Sequence, residues 1–244
     1  MTAQAIPATT TTGSTTGSTT GTAVVEERQT GSRFLRIAAG AALVAGPVLW
    51  AAGMWTSPSA AGTTDVDYIT SLGRDGTLTQ VSALFLHYGN LFIGLGVLAA
   101  ASLLRGPKGS RLTVIGALLT ALGFTNVSGM LLSDWWNLSL AQNVPMDMAA
   151  KVFAGFKDSS QLPFWNGFEM ASLLGTILLL VGLARAGVLA WWNLAIFVAG
   201  FAGLMFIPWD LPKLSALAVL VGFSPFAMIG IRLFQRAGLT LGRR

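Results

Sequence analysis

The sequence has no cysteine and a single histidine, His87. The first absence excludes disulfides, thiolate metal sites and thiol nucleophiles. The second excludes any centre that needs two histidine ligands, such as a bis-histidine haem or a His-rich zinc site. Charge is also scarce. Only 10% of the 244 residues are Asp, Glu, Lys or Arg, against about a quarter in a soluble chain. Too few charges remain to coat a water-facing surface. No phosphate loop, dinucleotide fingerprint or two-metal carboxylate cluster is present, and no cofactor or catalytic residue is expected.

What is abundant is apolar: 53% hydrophobic residues and a mean hydropathy of +0.65. Six apolar stretches, near 37–56, 82–104, 112–133, 163–184, 188–209 and 213–235, are each about long enough to cross a hydrocarbon core of roughly 30 Å as a helix of about 20 residues. Soluble helices would show a polar face, and barrel strands would be shorter and would alternate. The expected fold is therefore all-α, a polytopic bundle of six transmembrane helices over residues 33–236. Residues 1–32, with the run Thr9–Thr22, form a Thr/Gly/Ser-rich tail that is expected to be disordered. It lacks the apolar core of a signal peptide, so no cleavage is expected. A basic tail, 237–244, ends the sequence.

The net charge of +5 is distributed as membrane topology requires and does not point to nucleic acid. Arg28, Arg33 and Arg36 precede the first span, and Arg105, Lys108 and Arg111 fill the turn after the second. Arg185 follows the fourth span, and Arg232, Arg236, Arg243 and Arg244 close the chain. Only Arg74, Lys151, Lys157 and Lys213 of the 15 basic residues fall on the other side. Basic loops stay in the cytoplasm, so both termini are expected inside, in the plasma membrane of a bacterium. Trp50, Trp55, Trp135, Trp136, Trp165 and Trp209 would then form an outer aromatic belt, with Trp191 and Trp192 inside. Glycines seven apart (Gly46 and Gly53, Gly116 and Gly123, Gly175 and Gly182) mark close helix contacts. Of the outer loops, 57–81 is expected to hold a short interfacial helix around Asp65–Leu72. The loop 134–162 is expected to hold an amphipathic helix with Met148, Val152 and Phe156 on one face.

Polar side chains within a span are costly and are functional candidates. His87 and Asn90, Asn126, and Asn166 with Glu169 place such groups on three spans. His87, Asn126 and Glu169 each lie roughly 7–11 Å below the outer boundary. A carboxylate at the depth of Glu169 would be neutral or paired with a cation, and His87 is the titratable partner at its level. A His87–Glu169 pair would exchange a proton near neutral pH. It would equally serve as a hydrogen-bond network joining helices. Ser128 with His87 supplies the elements of a serine nucleophile dyad, but their spacing and order do not fit rhomboid-like proteases. Gly46-Pro47 and Ser224-Pro225 are points where a span should kink.

The segments Gly46-Pro47-Val-Leu-Trp50 and Tyr68-Ile-Thr-Ser-Leu72, set among Ala/Gly/Leu-rich helices, resemble multi-helix integral membrane proteins of the actinobacterial type. That resemblance covers spans one to three; it implies a helical membrane fold and no activity. The leading expectation is a non-enzymatic bundle that binds or conducts a small ligand or proton through an outward-facing polar cavity of His87, Asn90, Asn126, Asn166 and Glu169. The alternatives are a structural or regulatory membrane partner without a ligand and, remotely, an intramembrane enzyme. The bilayer is the expected partner, with a homo-oligomer or a membrane protein beside it.

Overall fold

The computed structural model of the chain describes residues 19–208 and 210–239, and among these it contains helices and no strand. In order they are α1 (Thr19–Thr56), α2 (Asp65–Arg74), α3 (Gly76–Val97), α4 (Ser110–Met130), α5 (Leu132–Asn143), α6 (Met146–Lys157), α7 (Leu162–Arg185), α8 (Trp192–Phe206), α9 (Pro212–Gly222) and α10 (Ser224–Arg236). A 3₁₀ segment, Leu98–Leu103, continues α3. The all-α bundle is as expected. Five segments are long and apolar enough to cross a membrane: Ser32–Thr56, Gly76–Leu103, Ser110–Asn143, Leu162–Arg185 and Pro212–Arg236.

Three expectations about extent need correction. The tail was placed at 1–32, but α1 already begins at Thr19, because Ala23–Gln29 is built of helix-compatible residues without Gly or Pro. Residues 1–18, Trp209 and the end of the basic tail, 240–244, lie outside the described residues. The fifth stretch was expected to fill 188–209, yet α8 has only 15 residues. That is roughly 22 Å of helix, less than a hydrocarbon core. The third correction concerns the loop after the third span, where two helices stand instead of one. The chain turns at Leu131, and Asp134-Trp135-Trp136 belongs to α5, which prolongs α4 beyond its end.

Local sequence sets the boundaries. Thr64 and Asp67 form a capping box at the start of α2, each satisfying the other's backbone N–H. The Asp75 carboxylate accepts from Leu78 N at 3.0 Å and starts α3. Prolines sit in the first turns of α7, α9 and α10, where a missing N–H costs nothing. The expected break at Ser224-Pro225 is the α9–α10 junction. By contrast, Pro47 stays inside α1.

The helices close into a ring. α1 packs on α3, α3 on α4, α4 on α7, α7 on α8, α8 on α9, and both α9 and α10 return to α1. The centre is aromatic: Phe124, Phe197, Phe223 and Phe226 meet at centroid distances of 5.6–6.2 Å, and Trp50 adds an edge contact to Phe223 at 5.4 Å. The glycine heptads do mark close approaches. A Cβ on Gly116 would lie 2.2 Å from Leu179 N, and one on Gly123 would lie 2.2 Å from Ser172 N. From the other side, a Cβ on Gly175 would come within 2.4 Å of Thr120 N, and one on Gly182 within 2.5 Å of Thr113 N. Gly46 and Gly53 serve the α1–α3 contact in the same way against Ile93 and Leu86. Backbone against backbone maximises dispersion where lipid supplies no hydrophobic drive.

The connections fix two unlike ends. At one end the 104–109 turn, the 186–191 turn and the close of α10 gather Arg105, Lys108, Arg111, Arg185, Arg232 and Arg236. At the other, α2, α5 and α6 form a cap of three short helices packed on one another and on the start of α3.

Candidate functional site

The five polar candidates do not converge on a common cavity. Asn90 is fully buried; its Oδ1 accepts from Trp50 Nε1 at 3.0 Å and its Nδ2 donates to Leu86 O at 2.8 Å. It fastens α3 to α1. Asn126 Nδ2 donates to Trp165 O at 3.0 Å and fastens α4 to α7. His87 pairs with Ser128, not with Glu169: His87 Nδ1 lies 2.8 Å from Ser128 Oγ and 3.1 Å from Ser128 O. Glu169 is exposed on α7, and the ion pair found among the described residues is Lys157–Asp65. Asn166 is half-buried, and its Oδ1 is buried without a partner. The physical reason is common to the first three. Inside a bilayer a polar group must find a partner, and the nearest ones are backbone carbonyls and side chains of the adjacent helix.

The Ser128–His87 contact has the composition of a nucleophile and its base. Ser128 is 2% exposed, however, and its hydroxyl also lies 3.2 Å from His87 O. With the proton on Nδ1, the imidazole donates to Ser128 and the hydroxyl donates to His87 O, so Nδ1 and the hydroxyl are both engaged. A nucleophile needs substrate access and a base oriented by a third group. This pair joins α3 to α4.

A cavity of about 870 Å³ opens instead where α4 gives way to the cap. It is lined by Gly129 and Met130 of α4, by Leu132, Ser133, Trp135, Trp136, Asn137, Ser139 and Leu140 of α5, by Val152, Phe153 and Phe156 of α6, by Ser159 and Gln161 of the connection, and by Leu162 and Trp165 of α7. Its origin is the turn at Leu131 and the return through 158–161: α5 and α6 leave the bundle and come back, and their apolar faces enclose the gap. Trp135, Trp136 and Trp165 supply aromatic walls, and polar atoms are few. One of these is conspicuous. Asn137 is 2% exposed, and its side chain bonds to the Tyr68 hydroxyl, which ties this wall of the cavity to α2. Volume, apolar lining and a sparse polar group are the attributes of a small-molecule site.

The cap is anchored from the side of α2. The Tyr68 hydroxyl donates to Asp134 Oδ1, and its ring stacks obliquely on Phe153 at 5.6 Å. Burial, reinforced by the Asp134 carboxylate, raises the Tyr68 hydroxyl far above the usual tyrosine range. Gly73 meets Ala141 closely enough that a Cβ would lie 2.7 Å from the Ala141 Cβ. Lys157 Nζ reaches Asp65 at 2.8 Å. At the α2 N-terminus the Thr64 hydroxyl and N–H hold Asp67 below the ordinary carboxylate value.

Sequence reasoning identified the α6 stripe, of which Val152 and Phe156 do line the cavity, while Met148 is exposed. It treated Trp135, Trp136 and Trp165 as belt residues and overlooked Asn137. The available signal was Asn137 directly after two tryptophans: in helical register it falls on a face shared with Ser133, Leu140 and Ala141. Among the described residues, no group of three His, Cys, Asp or Glu side chains converges to hold a metal. Comparison with protein-family models, with curated proteins and with solved structures gave no match.

Proposed function

We propose that the protein is a six-span plasma-membrane protein, with both termini cytoplasmic, that binds a lipophilic small molecule in the cavity under its outer cap. The cavity's volume and its aromatic, mostly apolar lining carry this reading. The basic residues concentrated at the opposite end support the orientation, because positive loops are retained in the cytoplasm. In that orientation the cavity straddles the outer membrane surface, open to molecules partitioned into the interface. α8, with the short stretches that flank it, supplies the sixth crossing.

Lipid tails are as apolar as the cavity wall, so apolar transfer supplies little preference. Selection then rests on fit to the aromatic walls of Trp135, Trp136 and Trp165. A long acyl chain or a flat ring system matches that requirement. The proton-conducting form of the outward-cavity idea depended on a His87–Glu169 pair, and His87 is instead bonded to Ser128.

The test uses a diazirine-bearing fatty acid methyl ester with the full chain reconstituted in phosphatidylcholine vesicles. After irradiation, label should concentrate on residues 129–165, and Ser139→Trp, which fills the cavity, should lower it several-fold. Label of equal density on lipid-facing residues of α9, such as Leu217 and Val221, would refute the proposal.

A further inference from the structure

The basic end holds a second cavity, of about 550 Å³. Leu103 and the 186–188 turn form its floor and sides, and Arg105, Arg232, Gln235 and Arg236 supply its polar wall. Two segments far apart in sequence thus bring three guanidinium groups to one concavity. Among the described residues no carboxylate lines it, and none of the three arginines takes part in the ion pair found there. Arg232 is steadied by Nη1 donating to Gln235 Oε1 at 3.0 Å. On the adjoining α1, Arg36 adds a buried Nε without a partner.

Topology alone accounts for arginines at this end, and helix C-termini favour nearby cations. Neither effect requires three of them to share a pocket, and Lys108, Arg111 and Arg185 at the same end stay outside it. Like charges gathered in a concavity repel unless an anion lies between them. Guanidinium forks match phosphate oxygens in pairs. We infer that this pocket binds a phosphate-bearing anion, either the headgroup of an anionic phospholipid in the adjacent leaflet or a free phosphate compound. Its level at the membrane surface favours the headgroup. The inference does not depend on the outer cavity.

The full chain in neutral detergent is titrated with phosphatidylglycerol, with phosphatidylcholine of equal chain length and with inorganic phosphate, read by native mass spectrometry and thermal shift. Phosphatidylglycerol should bind at least about ten-fold more tightly than phosphatidylcholine. Each arginine removed should weaken it about five-fold, the factor equivalent to ~1 kcal/mol per basic residue. Arg232→Gln with Arg236→Gln thus loses about 25-fold, whereas Arg111→Gln retains full affinity. Competition by millimolar inorganic phosphate would uphold the site and assign it to a free phosphate compound; absence of competition would assign it to the lipid. Equal binding of the two lipids, without phosphate binding, would overturn the inference. So would wild-type affinity in the double variant. Should that variant not fold, Arg232→Lys with Arg236→Lys keeps the charge and removes the forks. A several-fold loss is expected, and none at all would overturn the assignment.

Discussion

Replacing Gly116 by alanine tests whether the α4–α7 seam is as tight as the structure shows. The added Cβ would stand 2.2 Å from Leu179 N, 2.7 Å from Leu179 Cα and 2.8 Å from Gly175 O. All three are backbone atoms, so no side chain can rotate away. To restore ordinary contact at 3.4 Å or more, one helix must retreat by about 1 Å over several residues. Overpacking of that kind costs ~1–3 kcal/mol, and the better helix propensity of alanine returns only about 0.5–1 kcal/mol. Gly116→Ala should therefore be destabilised by about 1–2 kcal/mol in thermal or denaturant unfolding of the purified chain. Gly203→Ala, where nothing lies within 4 Å, should be neutral or slightly more stable. A second arm is more decisive. Gly116 and Gly175 face one gap, so once the helices part, Gly175→Ala adds little. The double variant should fall short of the sum of the two singles by 0.5 kcal/mol or more, on the order expected for contacting residues. Gly116→Ala at wild-type stability, or strict additivity of the pair, would refute the seam. Because α4 and α7 also supply Gly129 and Trp165 to the cavity, Gly123→Ala should alter fatty-ester labelling there. Gly182→Ala, near the other end, should not.

Trp50→Phe keeps the ring near Phe223 but leaves Asn90 Oδ1 without its donor at a fully buried site. A loss of about 0.5–2 kcal/mol is expected, and unchanged unfolding would contradict that bond. Tyr68 has its hydroxyl raised above the unfolded value of 10.0, so its contribution is complete below pH 10 and is lost as the pH rises further, when the unfolded chain ionises and the folded one does not. Amide exchange in α2 and α5 should accelerate above that pH in the wild type, and Tyr68→Phe should show no such alkaline step. Asp67 works in the opposite sense. Its folded value is below 3.8, so its support of α2 is present above that pH and is lost as the pH falls through the lowered value; Thr64→Ala should shift acid fraying of residues 65–68 to higher pH. Lys157→Met removes an ion pair whose side chains are 51% and 35% exposed; less than about 1 kcal/mol is expected, and a larger loss would mean the pair does more than join two surface side chains.

The helical bundle was legible because its signals are additive over long windows. Five of the six apolar runs, the heptad glycines and the Ser224-Pro225 break appear where expected, while the fifth run is shorter than expected. The short helix expected around Asp65–Leu72 is α2, and the Thr64–Asp67 box that opens it is a signal the sequence reading passed over. The candidate site was legible only as a set of residue types. His87, Asn90 and Asn126 are polar groups within the helices, but a sequence does not show which polar atoms have already found partners. Each of these three bonds to a neighbouring helix at 2.8–3.0 Å, and so has little left to offer a ligand. The cavity has a different origin. It follows from the turn at Leu131, where α4 could have run on without interruption, and the Ser128-Gly129 pair just before it is a faint mark of that turn. Asn137 was hidden for the same reason, since its position was read as a loop.

The two ends of the bundle offer chemically opposite recesses, and the material between them argues for holding a ligand over passing it. The cavity under the cap is aromatic and poor in charge, while the one at the basic end is lined by arginines. Between them α4 and α7 touch backbone to backbone from Gly123–Ser172 to Gly182–Thr113, which leaves no room for a solute. The ring's centre is filled by Phe124, Phe197, Phe223 and Phe226. A continuous path would require these phenylalanines to separate. The ladder of helical hydrogen bonds is interrupted at the α9–α10 junction, which carries Phe223, and in the 3₁₀ segment after α3. A conduit would open at those interruptions, and Phe223, 5% exposed, seals the first of them. Tight seams with a filled centre cost a transporter its motion, but they suit a receptor, because walls held rigidly discriminate shape at little entropic expense.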